Sequence, residues 1–154
     1  MKKIIVISDT HGDNEWVNIK SNYDYVIHAG DHLNNQSFMI KNCDYFVDGN
    51  NDIGNRFIEK FKIYNFKFVL VHGDEQRVRN YKSDDWANSF INDVRFQDAD
   101  IIIFGHTHIP IIKYFNKKII INPGSFSKPR LGMQKSFCEI LVDNNNIETR
   151  IIKF

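Results

Sequence analysis

The sequence predicts an α/β fold in which early βα units give way to an antiparallel tail. Three observations predict it: short β-branched runs that stop at glycine, aspartate or histidine, helical spacings between the early runs, and strand signals alone after Asp100. The runs at residues 3–8, 24–30, 44–49, 66–73, 100–105 and 119–124 read as buried strands whose carboxyl ends feed polar loops. In open α/β sheets that edge is where ligands bind.

In chain order, the first helical candidate covers residues 13–20 behind Asp13, and shorter ones follow at 34–42 and 55–62. The strongest covers 83–96, where Trp86, Phe90 and Val94 recur every four residues behind a possible Ser83 N-cap. That spacing makes Trp86 and Phe90 core residues rather than a substrate platform, and Tyr23, Tyr25, Tyr45 and Phe46 suit strand packing. Arg77, Arg79 and Lys82 read as an exposed basic stretch before the helix. The tail begins with strand 111–115, a turn at Asn116-Lys117-Lys118 and strand 119–122, and it closes with a hairpin of 136–143 and 147–153 joined by Asn144-Asn145-Asn146. No Pro/Gly/Ser-rich linker, repeat or low-complexity tract interrupts this order, so residues 1–154 read as one domain.

Twenty basic and nineteen acidic side chains leave a formal charge of +1, so any affinity for phosphate must be local. No basic stripe with interleaved aromatics marks a long nucleic-acid footprint. The apolar run Ile4-Ile5-Val6-Ile7 is too short for a signal-peptide core, and nowhere do about 18 apolar residues run together to span a bilayer. Cys43 and Cys138 lack the pairing density of a small secreted scaffold. The expectation is a cytoplasmic, soluble protein with no membrane partner.

Five loop segments carry an unusual share of metal-binding side chains: Asp9-Thr10-His11, Gly30-Asp31-His32, Gly49-Asn50-Asn51-Asp52, His72-Gly73-Asp74 and Gly105-His106-Thr107-His108. Each directly follows an expected strand. If those strands share one sheet edge, carboxylates, imidazoles and an amide oxygen converge there, a mixed N/O set suited to Mn, Fe, Zn, Co or Ni. Residues two apart in an extended loop can point the same way, so Asp9 with His11, or His106 with His108, can grip neighbouring ions. The glycines beside them (Gly30, Gly49, Gly73, Gly105) permit approaches that a Cβ would obstruct. His28, inside an apolar run, reads as a satisfied structural histidine and His32 as a loop residue near the site.

In order and spacing these fragments, DTH, GD, GNND, VHG and GHTH, resemble the calcineurin-like metallophosphoesterases, and Asn122-Pro123-Gly124-Ser125 resembles a segment of that family's small, capless bacterial and archaeal phosphodiesterases. The resemblance implies a four-layer α/β/β/α sandwich of two mixed β-sheets flanked by helices, with an open site. It further implies that Asp9, His11 and His108 bind one divalent ion and Asn50, His72 and His106 a second, with Asp31 bridging ions about 3.5–4 Å apart. Manganese leads the candidate metals, with Ni, Fe, Zn or Co as alternatives. A hydroxide held between two such ions can attack phosphorus in line with the leaving oxygen, while the ions offset the developing charge.

Two departures from the family pattern bear on substrate choice. Asn51 stands where larger relatives carry a histidine that can assist the leaving group, and an amide cannot donate a proton in that way. This favours diesters or acidic leaving groups, and a small phosphodiester or nucleotide-like substrate. Asp74 replaces the second histidine of the HGH motif, where it either orients a ligand histidine or faces water. Asp52 is a further candidate to support a ligand, on the resemblance alone. Arg130 either contacts a substrate phosphate or is solvated. The expected function is a metal-dependent phosphodiesterase; the alternative is a non-catalytic protein-interaction scaffold on the same fold, as in relatives linked to membrane-coat assembly.

Overall fold

The computed structural model describes residues 1–78 and 81–154, so Arg79 of the expected basic stretch lies outside the described residues. Two five-stranded mixed sheets are stacked face to face. The first runs in the order β10 (Ile147–Lys153), β9 (Ser136–Val142), β1 (Lys2–Ile7), β2 (Tyr25–His28), β3 (Tyr45–Phe46), and the second in the order β4 (Ile58–Ile63), β5 (Phe66–Val71), β6 (Ile101–Ile103), β8 (Lys118–Asn122), β7 (Ile111–Phe115). In each sheet three neighbouring strands are parallel: β1, β2 and β3 in one, β5, β6 and β8 in the other. The remaining strands pair antiparallel at the edges.

Side-chain alternation makes four layers from these sheets. Ile4, Val6, Ile27 and Ile140 face Phe68, Leu70, Ile103 and Ile121 across the sandwich. Ile5, Ile7 and Val26 point the other way, onto Trp16 of the 3-10 turn Glu15–Asn18 and onto Met39 of α1 (Gln36–Asn42), while Val69, Val71 and Ile102 meet Trp86 and Phe90 of α2 (Asp85–Ile91). Strands buried on both faces have no polar side to alternate, which is why the runs look continuously apolar in sequence. Trp86 and Phe90 are core residues, as their spacing predicts. Cys43 and Cys138 are buried free thiols in separate clusters.

The helices are shorter than expected, and one is a strand. Residues 55–62 form most of β4, not a helix: exposed Lys60 and Lys62 alternate with Phe61 and Ile63, and a two-residue turn with Tyr64 at φ 51° folds the strand back on β5. Residues 83–96 split into α2 and a 3-10 turn at Val94–Phe96, because the Asp93 side chain accepts from Arg95 N–H and starts a new turn. Asp84, not Ser83, precedes the helix, and Val94 points into solvent. The segment 13–20 holds the 3-10 turn Glu15–Asn18, which buries Trp16 alone, and the start of a second 3-10 turn, Lys20–Asn22, rather than an α-helix. At 34–42 the helix is present, capped by Asn35 accepting from Phe38 N–H. Asn116 and Lys117, both at positive φ, make the expected tight turn between β7 and β8. No helix of the described residues is long and apolar enough to cross a membrane.

Candidate metal centre

The loops that leave β1, β2, β3, β5 and β6 meet at one end of the sandwich, and backbone hydrogen bonds lace them together. Asp9 and His11 donate to the carbonyls of Gly30 and Asp31 at 3.0 and 2.9 Å, and Gly105 donates to that of His72 at 2.8 Å. The Asn122-Pro123-Gly124-Ser125 segment fastens the first loop and the last: Ser125 Oγ donates to Asp9 O at 2.7 Å and Asn122 Nδ2 to Gly105 O at 2.7 Å. Gly49 and Gly105 let these loops touch, since a Cβ on either would collide with Asp31 Oδ1 or with Ser8 Oγ.

This lacing forces strain onto the polar residues. Asp9, His11, Asp31, His106 and His108 all sit at φ between 46° and 65°, the left-handed region that non-glycine residues rarely occupy. Such conformations persist only where surrounding structure over-determines them, and they concentrate at functional sites.

All seven residues of the implied ligand set come together. Asp31 is the pivot: its Oδ2 lies 3.8 Å from His11 Nε2 and its Oδ1 3.5 Å from His72 Nε2. Asp9 Oδ1 lies 3.2 Å from His108 Nε2 and 4.0 Å from His72 Nε2, yet it is buried without a hydrogen bond. His11 Nε2 and His108 Nε2 face each other at 3.3 Å. Asn50 Oδ1 stands 3.1 Å from both His72 Nε2 and His106 Nδ1.

Two imidazoles have their orientation set from behind. His72 Nδ1 donates to Ala29 O at 2.7 Å and His108 Nδ1 donates to Lys128 O, so each directs Nε2 into the cluster. A histidine whose far nitrogen is tied to a carbonyl is the arrangement metal sites use to fix tautomer and aim. Converging lone pairs, two buried carboxylates and an orphaned carboxylate oxygen need positive charge, and the residues present fit divalent cations. Two groups of close donors result, Asp9 with His11 and His108, and Asp9 and Asp31 with His72.

Burial disfavours the charged form of both Asp31 and His72, but their mutual attraction outweighs it: His72 is pushed up to about 9 by Asp31 and Asp9, and Asp31 is held well below the usual carboxylate range by His72 and Asn51. Burial lowers His11 and His106, and the neighbouring His72 lowers His106 further.

The other expected residues have different surroundings. Asn51 turns its amide onto Asp31 Oδ2 at 2.7 Å, and its backbone N–H donates to Oδ1 at 3.0 Å. Asp74 is exposed, and its charge reaches His106 without a hydrogen bond from its carboxylate among the described residues. Arg130 is exposed on the loop beyond Lys128, with no ion pair among the described residues. His28 is fully buried, with Nδ1 accepting from Gly30 N–H and Nε2 donating to Thr10 Oγ1, a satisfied structural histidine.

Sequence reading missed a buried support. His32, read there as a loop residue, is buried with Nε2 3.1 Å from Asp48 Oδ1 and 3.5 Å from Asp52 Oδ2. Asp52 accepts from the N–H groups of His32, Leu33 and Gly49, and thereby holds the second loop to the third. The missed signal was Asp48, an acidic residue closing an otherwise apolar run just before Gly49-Asn50.

A stacked pair of mixed sheets that gathers aspartates, histidines and an asparagine where its parallel strands end is the architecture of a metallophosphoesterase. The chain belongs to the calcineurin-like phosphoesterase superfamily, whose domain model matches residues 1–145. A Mycoplasma genitalium protein named "Probable metallophosphoesterase" is 38% identical over 159 residues, covering 100% of this chain and 96% of its own. A crystal structure from Streptococcus pneumoniae, described as a predicted phosphoesterase, superposes with a TM-score of 0.79 at 25% identity, covering 99% of this chain and 89% of that one. Fold likeness also extends to Vps29 from Entamoeba histolytica complexed with Zn2+ (TM-score 0.69, 21% identity, 98% of each chain). An archaeal phosphodiesterase gives a TM-score of 0.68 at 22% identity over 97% of this chain and 99% of that one.

Proposed function

We propose that the chain is a dinuclear-metal phosphodiesterase acting in the cytoplasm on a small phosphodiester or nucleotide-like substrate, with manganese the first metal to test. The observation that carries this reading is the position of Asp31, whose two carboxylate oxygens face His11 on one side and His72 on the other. Asp9, His11 and His108 would hold one ion, Asn50, His72 and His106 the other, and Asp31 both. When bound, the ions would supply the acidity that makes water a nucleophile near neutral pH and the positive charge that offsets the phosphate. The chain's own part is orientation: Ala29 and Lys128 carbonyls aim two imidazoles, Asn51 fixes the Asp31 carboxylate, and the Ser125 and Asn122 contacts keep the loops in register.

Asn51 offers no acid for a poor leaving group, which favours diesters with acidic alcohols. In this reading Lys128, whose charge acts on His11, and Arg130 two residues further on would meet a substrate phosphate. Elemental analysis joined to diffraction at the metal absorption edge tests the ion count and ligands. Turnover of a phenolic diester against an alkyl monoester tests the substrate class, and faster hydrolysis of the alkyl monoester would reject it. The fold shared with Vps29 favours a second reading, a non-catalytic interaction scaffold. A loaded site without turnover on any diester would select it.

A further inference from the structure

Beside the metal-binding loops opens a groove of about 470 Å³, lined by Leu33, Asn34, Asn35, Gln36, Asn51 and Ile53. Its volume lies within the roughly 300–1,000 Å³ of small-molecule sites. Its lining carries no charge, only two branched aliphatic side chains and four amides. Asn51 lines this groove while donating twice to Asp31.

The two aliphatic side chains of that lining face solvent. Ile53 is 98% exposed and Leu33 50% exposed, and neither belongs to a core cluster. Leu33 is also held at φ 55°, a conformation unfavourable for a branched side chain, by its N–H bond to Asp52 at 2.7 Å. The same Asp52 that ties the second loop to the third therefore presents an aliphatic side chain to solvent two residues along the chain from Asp31. A surface without cations does not attract phosphate, whereas aliphatic side chains against a ring face and amides at its edge suit an uncharged planar group.

We propose that this groove seats one ester arm of the substrate, a planar aromatic or heteroaromatic group of the nucleobase kind, while the phosphate lies over the metal centre. The assignment rests on the phosphodiesterase reading of that centre. The test uses the full chain loaded with diamagnetic Zn2+, titrated with thymidine 5′-monophosphate or with methyl phosphate while the Leu33 and Ile53 methyl resonances are followed by NMR. Thymidine 5′-monophosphate is expected to bind at least about tenfold more tightly than methyl phosphate and to shift both sets of methyls. In the Leu33→Ser/Ile53→Ser variant that advantage disappears, while methyl phosphate affinity stays within about twofold.

Equal affinities for the two phosphates, no binding of the nucleotide, or a bound nucleotide that leaves the methyls unshifted overturns the proposal. Hydrolysis of bis(p-nitrophenyl) phosphate by a sample of the same protein is scored separately. Shifted methyls without turnover would remove the phosphodiesterase reading and keep the groove as a nucleotide-binding surface. Turnover with unshifted methyls would keep the enzyme and remove the groove.

Discussion

Glu139 and Asp31 are both shut away from water, and the chain treats their charges in opposite ways. Glu139, on the helix-facing side of the first sheet, meets Lys3 Nζ at 2.9 Å and Arg150 Nε at 2.7 Å. Burial would raise its carboxyl, but these cations hold it below the usual range. Asp31 and Asp9 have no lysine or arginine in ion-pair contact among the described residues; they face imidazoles instead, and one Asp9 oxygen has no hydrogen bond at all. Where the fold balances a buried charge from its own chain the cluster is architectural. Where it leaves the balance open, beside lone pairs aimed inward, an external cation can close it.

The sharpest way to break this contrast is to remove the pivot. Asp31→Ala should lower diesterase activity by about a thousandfold, the scale seen when a site loses a principal electrostatic element. Asp74→Ala, which removes only an exposed neighbour, should cost far less; equal losses in kcat/KM would contradict the bridging role proposed for Asp31. Asp52 is an intermediate case, a carboxylate satisfied by backbone N–H groups of two loops. Asp52→Asn should weaken metal binding by about 10- to 100-fold, the range for groups that orient ligands, and competition with a chelator measures it.

Glu139→Gln should show the reverse profile. Metal content and turnover stay within about twofold of wild type, while stability falls by about 2 kcal/mol in urea titration, less than for a fully buried pair because Lys3 and Arg150 reach solvent. A loss of metal in this variant would erase the distinction between the two clusters.

The smallest effect concerns His28, a third treatment of buried charge: neutral and hydrogen-bonded at both nitrogens. Burial, then the charges of His32 and His72, lower its pKa well below the ordinary 6.5. The unfolded chain therefore binds a proton that the folded one refuses, so this contribution to stability is intact above about pH 6.5 and fades as pH falls below it. The unfolding midpoint should drop by about 3 °C between pH 7 and pH 5, and His28→Asn should flatten that slope. An unchanged slope would assign the acid sensitivity to other groups.

Much of the metal centre was legible because its information is local. Asp9, His11, Asp31, Asn50, His72, His106 and His108 each follow a strand-like run within a few residues, and strand ends are where an α/β sheet presents its ligands. The strand β4 was illegible at 55–62 because so short an alternation as Lys60-Phe61-Lys62-Ile63 does not by itself separate strand from helix, and pairing with β5 decides its state. His32 was legible as a loop residue near the site, but its buried pairing with Asp48 was not, because nothing in a sequence says that residues sixteen apart will share a hydrogen bond. Asn51 was legible as a departure from the family pattern, but its turn onto Asp31 was not.

The sequence by itself determined the kinds of donor available, their order along the chain and the two-faced burial of the strands that carry them, since residue chemistry and hydrophobic periodicity are properties of short segments. Only the tertiary structure decided that five loops converge, that Asp31 faces His11 and His72 at once, and that five polar residues are held in a left-handed conformation. Those outcomes depend on hydrogen bonds between residues up to 118 positions apart, as from Ser127 to Asp9, and no local pattern encodes a contact whose partner lies so far along the chain.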